Sequence, residues 1–316
     1  MTSYDRLTRA VPPPAAPVHA QGDWAAVESA LGVRLPDDYR WLVGTYGWGE
    51  FCDFLNLHTP FGGHRYHGVR WQEGPPPRTE RDRARCPYPL RPAAGGLLIW
   101  GSTIDADRLC WHTAGAPADW PVVIWRRDGL YEDMGTGARE FVEGWSLGRV
   151  DSRLLGAMEP GLAPWFNAFR PRINRCLELS EGPHPYTERL RLLRETLAPT
   201  ADRGSWEADG GGGGQDHFAT TDSDWLITYD RARPHQIRVG FPPEDKAEVH
   251  RRLSAAFRLM GCEVLAIRTA SGSPLPDWEA ETEEDAEQDT AEGAEQDTAE
   301  GAAESTAEDT RECRAE

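Results

Sequence analysis

The chain has 316 residues, 34 basic and 52 acidic, for a net charge of −18, and at roughly 150 residues per domain its length sets a prior of two domains. Residues 277–316 hold 17 of the acids and 2 of the bases, net −15, which leaves the other 276 residues near neutral at −3 and excludes a body built as a basic nucleic-acid binder. Lysine occurs once, as Lys246 in Glu-Asp-Lys-Ala, which excludes a Walker A loop, a kinase strand lysine and a pocket Schiff base.

Residues 1–22, with the run Val11-Pro12-Pro13-Pro14-Ala15-Ala16-Pro17, read as an extended, disordered leader. Asp23 reads as a helix N-cap, with Trp24, Val27 and Leu31 at helical spacing and Gly32 as the stop. A second helix starts at Pro36, and Tyr39, Leu42, Val43 and Tyr46 form its buried stripe before Gly47-Trp48-Gly49. Residues 58–96 form a long polar connection containing Gly74-Pro75-Pro76-Pro77. Then Leu97–Trp100, Arg108–His112 and Val122–Trp125 read as strands, and Asp128-Gly129 marks a hairpin into Leu130-Tyr131. The short connections predict an antiparallel meander. A helix follows with Phe141, Val142 and Trp145 on one face. Nine of the thirteen tryptophans lie in residues 24–145, which suits a small sheet covered by helices on one side.

Residues 151–180 read as a helical connection. Tyr186, Leu190, Leu193 and Leu197 make a further apolar stripe, and Gly210–Gly214 is a loop. Strand patterns at 217–221, 225–229 and 236–241, a helix over about 243–260 and a strand from Cys262 to Ile267 complete a second α+β unit, 151–275 with its connection. From residue 276 the composition is acidic, and Ala286–Gly293 recurs unchanged at 294–301. Such a polar unit has nothing to bury, so 276–316 reads as a disordered tail.

The run Val27-Glu28-x-x-Leu31-Gly32-x-x-Leu35-Pro36-x-Asp38-Tyr39-Arg40-x-Leu42-Val43, ending at Tyr46-Gly47-x-Gly49, resembles the opening motif of the SUKH superfamily, the Smi/Knr-like proteins. Leu98-Ile99-Trp100-Gly101, Asp107–Trp111, Pro121-Val122-Val123 and the Asp-Gly hairpin are similar to that family's sheet. The resemblance covers about residues 22–150, so the domain is set at 23–150. It implies an α+β fold, a SUKH-like antiparallel sheet packed with helices, and no catalysis. Bacterial members are mostly immunity proteins that bind and occlude a polymorphic toxin, often a nuclease. Other members are interaction modules that dock a partner in signalling. The resemblance thus implies a protein partner, most naturally a toxin domain. It carries over no catalytic residue.

Partner contact is expected at Trp48, Glu50, Asp53, Asp105, Asp107, Asp119 and Trp120. Acids on turns would speed encounter with a basic nuclease, and a tryptophan beside Gly or Pro in a loop can anchor an interface; ordinary turn chemistry explains such aspartates equally well. His58, His64 and His67 with Cys52 and Cys86 carry zinc-type donors but match no recognised ligand spacing. Neither a metal nor a cofactor is expected. Arg65, Arg70, Arg78, Arg81, Arg83, Arg85 and Arg91 form a basic insert that reads as a solvated loop. An enzyme site around Asp216, His217, Asp222 and Asp224 is the contrary reading, without ordered base–nucleophile spacing. No apolar run approaches the ~20 residues of a membrane helix, Met1–Arg9 has no apolar signal core, and the six scattered cysteines form no CxxC pair. The expectation is a reduced, cytoplasmic protein.

Overall fold

A computed structural model describes residues 3–62, 68–71, 87–89, 94–158, 161–207, 213–231 and 235–280. The chain divides into two compact units, Met1–Phe169 and Arg170–Glu316. Both combine helices with antiparallel sheet, an α+β fold.

The leader of the first unit is ordered where it was expected to be disordered. Ser3–Ala10 forms helix α1, and Leu7 and Val11, one turn apart, are fully buried. The Tyr46 hydroxyl donates to the Val11 carbonyl at 2.8 Å. Beyond the prolines, Val18 bridges Gly47, and the Trp48 amide donates to the Val18 carbonyl at 2.7 Å. Gly47 has φ +71°, and a Cβ there would lie 2.3 Å from the Val18 oxygen, so only glycine lets the leader pass. The proline run is thus pinned at both ends.

Helix α2 (Trp24–Leu31) starts as the sequence suggests: the Asp23 carboxylate accepts from the Ala25 and Ala26 amides, and Gly32 closes the helix in the left-handed region. Helix α3 (Asp37–Tyr46) buries Tyr39, Leu42, Val43 and Tyr46. The strands are β1 (Gly49–Phe51), β2 (Leu55–Leu57), β3 (Arg70–Trp71), β4 (Leu97–Thr103), β5 (Arg108–His112), β6 (Val122–Trp125), β7 (Tyr131–Asp133) and, after helix α4 (Ala138–Ser146), β8 (Phe166–Ala168). Their order is β7-β6-β5-β4-β2-β1-β8, with β3 paired to β4. Alternation sends Leu98, Trp100, Leu109, Trp111, Val122 and Ile124 into one core with Tyr39, Leu42 and Phe141. Tyr39 meets Trp111 edge-on at 4.9 Å and donates its hydroxyl to the His58 carbonyl at 2.7 Å. The opposite face is apolar as well: Leu97, Ile99, Cys110 and Val123 are buried beside Tyr88, Trp125 and Tyr131. The expected one-sided sheet is therefore two-sided.

The helical connection expected over 151–180 is not formed among the described residues. Phe166–Ala168 pairs with β1, and Ile173–Leu179 is strand β9, with Ile173, Arg175, Leu177 and Leu179 buried in strict alternation. The compact units part after Phe169 rather than at residue 150. The second unit continues with α5 (Tyr186–Leu197), β10 (Thr200–Glu207), β11 (Gly214–Thr220), β12 (Leu226–Asp230), β13 (His235–Phe241), α6 (Lys246–Met260), β14 (Val264–Arg268) and β15 (Pro274–Leu275), in sheet order β10-β11-β12-β13-β9-β14-β15. Leu193 and Leu197 of α5 join Val249, Leu253, Phe257 and Met260 of α6 over Leu177, Ile237 and Val239. Packed chain extends past the expected tail boundary. Trp278 is buried, stacks on Phe241 at 5.6 Å and His250 at 5.1 Å, and donates Nε1–H to the Lys246 carbonyl. The repeat itself, in 281–316, lies outside the described residues.

Candidate functional site

The outer face of the first sheet carries a single rung of side chains across seven strands. Directly paired residues share a face, and the register links Tyr131 to Trp125, Trp125 to Arg108, Arg108 to Ser102, Ser102 to Asn56, Asn56 to Glu50 and Glu50 to Asn167. All but buried Asn167 are half-exposed. The β7–β4 end is aromatic and cationic. The Arg108 guanidinium sits 4.4 Å above the Trp125 ring, which stacks on Tyr131 at 5.8 Å and 11°. Tyr88 bridges Tyr131 and His112 at 5.6 and 5.1 Å, and Leu130, at the hairpin tip, is 49% exposed.

The β2–β8 end is polar. Asn56 Nδ2 donates to Ser102 Oγ at 3.2 Å, and His58 Nε2 lies 3.1 Å from the same oxygen. Asn167 Nδ2 reaches Glu50 Oε1 at 3.5 Å and also donates to Asp53, whose carboxylate accepts from Trp165 Nε1 at 3.0 Å. The Asn56 and Asn167 side-chain oxygens are buried without a partner among the described residues, two acceptors whose desolvation is uncompensated. Beneath the aromatic end, burial pushes the Cys110 thiol far up against the pull of Arg108 and Arg70. A thiol held neutral is no nucleophile. The face offers stacking, a cation and hydrogen-bond groups.

The seven predicted contact residues do not gather into one patch. The Trp48 ring is 5% exposed and packs on Phe169 at 5.1 Å, while Trp120 is 4% exposed and donates Nε1–H to the Gly115 carbonyl at 3.2 Å. Both rings belong to the interior, which corrects their reading as surface anchors. Asp107 is buried and accepts the Arg127 amide at 2.9 Å, bracing a turn. Glu50 lies on the rung, and Asp53, at φ +53°, ties Trp165 and Asn167 beside it. Asp105, next to strongly exposed Ile104, and Asp119, in the turn Pro117–Asp119, are exposed. Strand register, which no local pattern prints, hid Arg108, Trp125 and Tyr131 from sequence reading, although alternation puts Trp125 opposite Ile124.

Residues 21–142 match the family model SUKH_6, SMI1-KNR4 cell-wall. No curated protein matches the chain. The SMI1-KNR4 segment spans α2 through the start of α4 and therefore holds the rung from Glu50 to Tyr131, with Asn167 supplied from beyond it.

The other candidates are dispersed. Asp216 accepts from the Tyr186 hydroxyl, His217 Nδ1 lies 3.0 Å from Thr228 Oγ1, Asp222 takes Ser223, and Asp224 takes Arg170 and Arg172. Each of the four residues thus has partners of its own among the described residues. His58 and the Cys52 thiol face Ser102 and the Trp165 carbonyl; His64, His67 and Cys86 lie outside the described residues, as do Arg65, Arg78, Arg81, Arg83, Arg85 and Arg91. No helix among the described residues is long and apolar enough to cross a membrane.

Proposed function

We propose that this chain is a non-enzymatic binding protein of the immunity type, which covers the active cleft of a toxin domain with the outer face of its SMI1-KNR4 sheet. The carrying observation is the seven-strand rung, in which stacked Trp125 and Tyr131 with Arg108 supply the residue types that dominate interface energetics. The polar end supplies hydrogen-bond groups that a partner's backbone can satisfy. Exposed Asp53, Asp105 and Asp119 lie on turns, where charge steers encounter with a basic partner. Cys52, Cys110, Cys176 and Cys262 are free thiols, which suits a reducing cytoplasm. The test is capture of partners by the full chain from its native host, in parallel with a Trp125→Ala chain. A nuclease or other toxin held by the first and lost by the second is the expected result; a partner held equally by both overturns the assignment of the face. A second reading, a scaffold docking a housekeeping partner, draws on the separate core of residues 170–280, and a captured protein with no toxin activity would favour it.

A further inference from the structure

Helix α4 of the first unit borders a cleft of about 510 Å3, within the range of small-molecule sites. Glu143 of its lining, only 5% exposed, meets three guanidinium groups: Arg149 at 2.7 Å, Arg139 at 3.1 Å and Arg6 at 3.2 Å. These arrive from three places in the chain, helix α1, the first turn of α4 and the loop after it. Glu143 is the one buried carboxylate of the lining, which holds three arginines and three acids in all. Glu140 and Asp151 also line the cleft, but both are exposed and neither is in an ion pair among the described residues. Arg6 spends only Nε on Glu143 and Arg149 only one terminal nitrogen, so each keeps donors for a further acceptor. Two guanidinium forks with spare donors match the oxygens of phosphate or carboxylate. Met134 and Val150 give the wall an apolar part, where the body of a ligand can lie.

We propose that this cleft binds a small, multiply charged oxyanion, a molecule bearing phosphates or clustered carboxylates, held by Arg6 and Arg149 with Arg139 behind them. The site is separate from the outer sheet face, and its test does not depend on finding a protein partner. The full chain is titrated calorimetrically with pyrophosphate and with citrate, at ionic strength matched with chloride. Saturable binding of at least one at millimolar concentration or below is expected, and which one binds tells phosphate from carboxylate. Arg149→Gln, at a side chain 47% exposed and thus safe for folding, should weaken binding about tenfold or more, as should Arg6→Gln, the loss typical of one charged hydrogen-bond contact. Glu143→Gln removes the competing anion and should tighten binding, the reverse of what a purely structural clasp gives. The proposal fails if neither anion binds saturably, if Arg149→Gln binds as the parent does, or if a folded Glu143→Gln chain binds more weakly.

Discussion

Glu132 keeps its charge in a nearly closed setting. Burial pushes its carboxyl up, but Ser152 Oγ at 2.7 Å, the Arg153 amide and side chain and the Leu154 amide together hold it below the ordinary value. A carboxyl depressed in the folded state contributes stability above its unfolded pKa of about 4.3, and that stability drains away as pH falls through the lower folded value. Glu132→Gln should therefore destabilise the chain at neutral pH, and the gap should close below about pH 4; urea titrations across that range read it, and a constant gap would mean the hydrogen bonds tolerate the neutral form. Leu42 is fully buried in the first core, so Leu42→Ala should cost about 2–5 kcal/mol in the same titration. Retained stability with lost partner binding would make the α3 stripe a contact surface instead. Single residues were legible where chemistry is local. Asp23 caps and Gly32 stops α2 because short-range hydrogen bonding and backbone freedom decide both. Trp48 and Trp120 were not, since a tryptophan beside Gly or Pro looks the same in a loop whether its ring turns inward or outward.

Elements were legible in proportion to how much of their burial pattern is sequential. The α3 stripe, the strands β4–β6, the Asp128-Gly129 hairpin, where Arg126 donates to the Leu130 carbonyl at 2.9 Å, and helix α6 all follow period and turn chemistry. The resemblance added the assembly of α2, α3 and the sheet into one SUKH-like domain, which spacing alone does not give. Helix α1 was hidden because Leu7 within its eight residues and Val11 just past its end are a weak signal until a core receives them. Strand β9 was hidden because Arg175, at one of its inward positions, is a buried cation, which blurs a hydrophobic period. The outer face escaped for another reason: pairing of β1 with β8 joins residues more than a hundred positions apart. The leader gives the decisive element-scale test. Deleting residues 1–11 removes two fully buried side chains and the acceptor of the Tyr46 hydroxyl. At about 2–4 °C per kcal/mol for a unit of this size, the thermal midpoint should fall by several degrees. An unchanged midpoint would return the leader to the mobile state read from its prolines.

For the whole molecule, charge and fold separate along the chain, with near-neutral packed units and acidity gathered after residue 276. Ending the chain after Ala280 should leave the thermal midpoint within error, because residues 281–316 have a self-repelling composition with nothing to bury. Ending it before Asp277 should lower the midpoint, since Trp278 then leaves its stack between Phe241 and His250. Equal midpoints would show that this stack adds nothing. The same division sets the decisive measurement on binding, made by surface-immobilised kinetics with whichever partner the full chain captures. The rung and the acidic turns should fail differently. Trp125→Ala removes an aromatic anchor that Arg108 and Tyr131 hold in place. Dissociation should speed up about thirtyfold, the ~2 kcal/mol of an interface hot spot. Asp105→Arg and Asp119→Arg reverse exposed turn charges, so association should slow at low salt while dissociation holds. That slowing should vanish near 1 M salt, where the screening length is ~3 Å. Normal kinetics in all three variants, with binding abolished by deletion of residues 181–275, would transfer the interaction to the second unit and leave the SMI1-KNR4 sheet without the partner assigned to it.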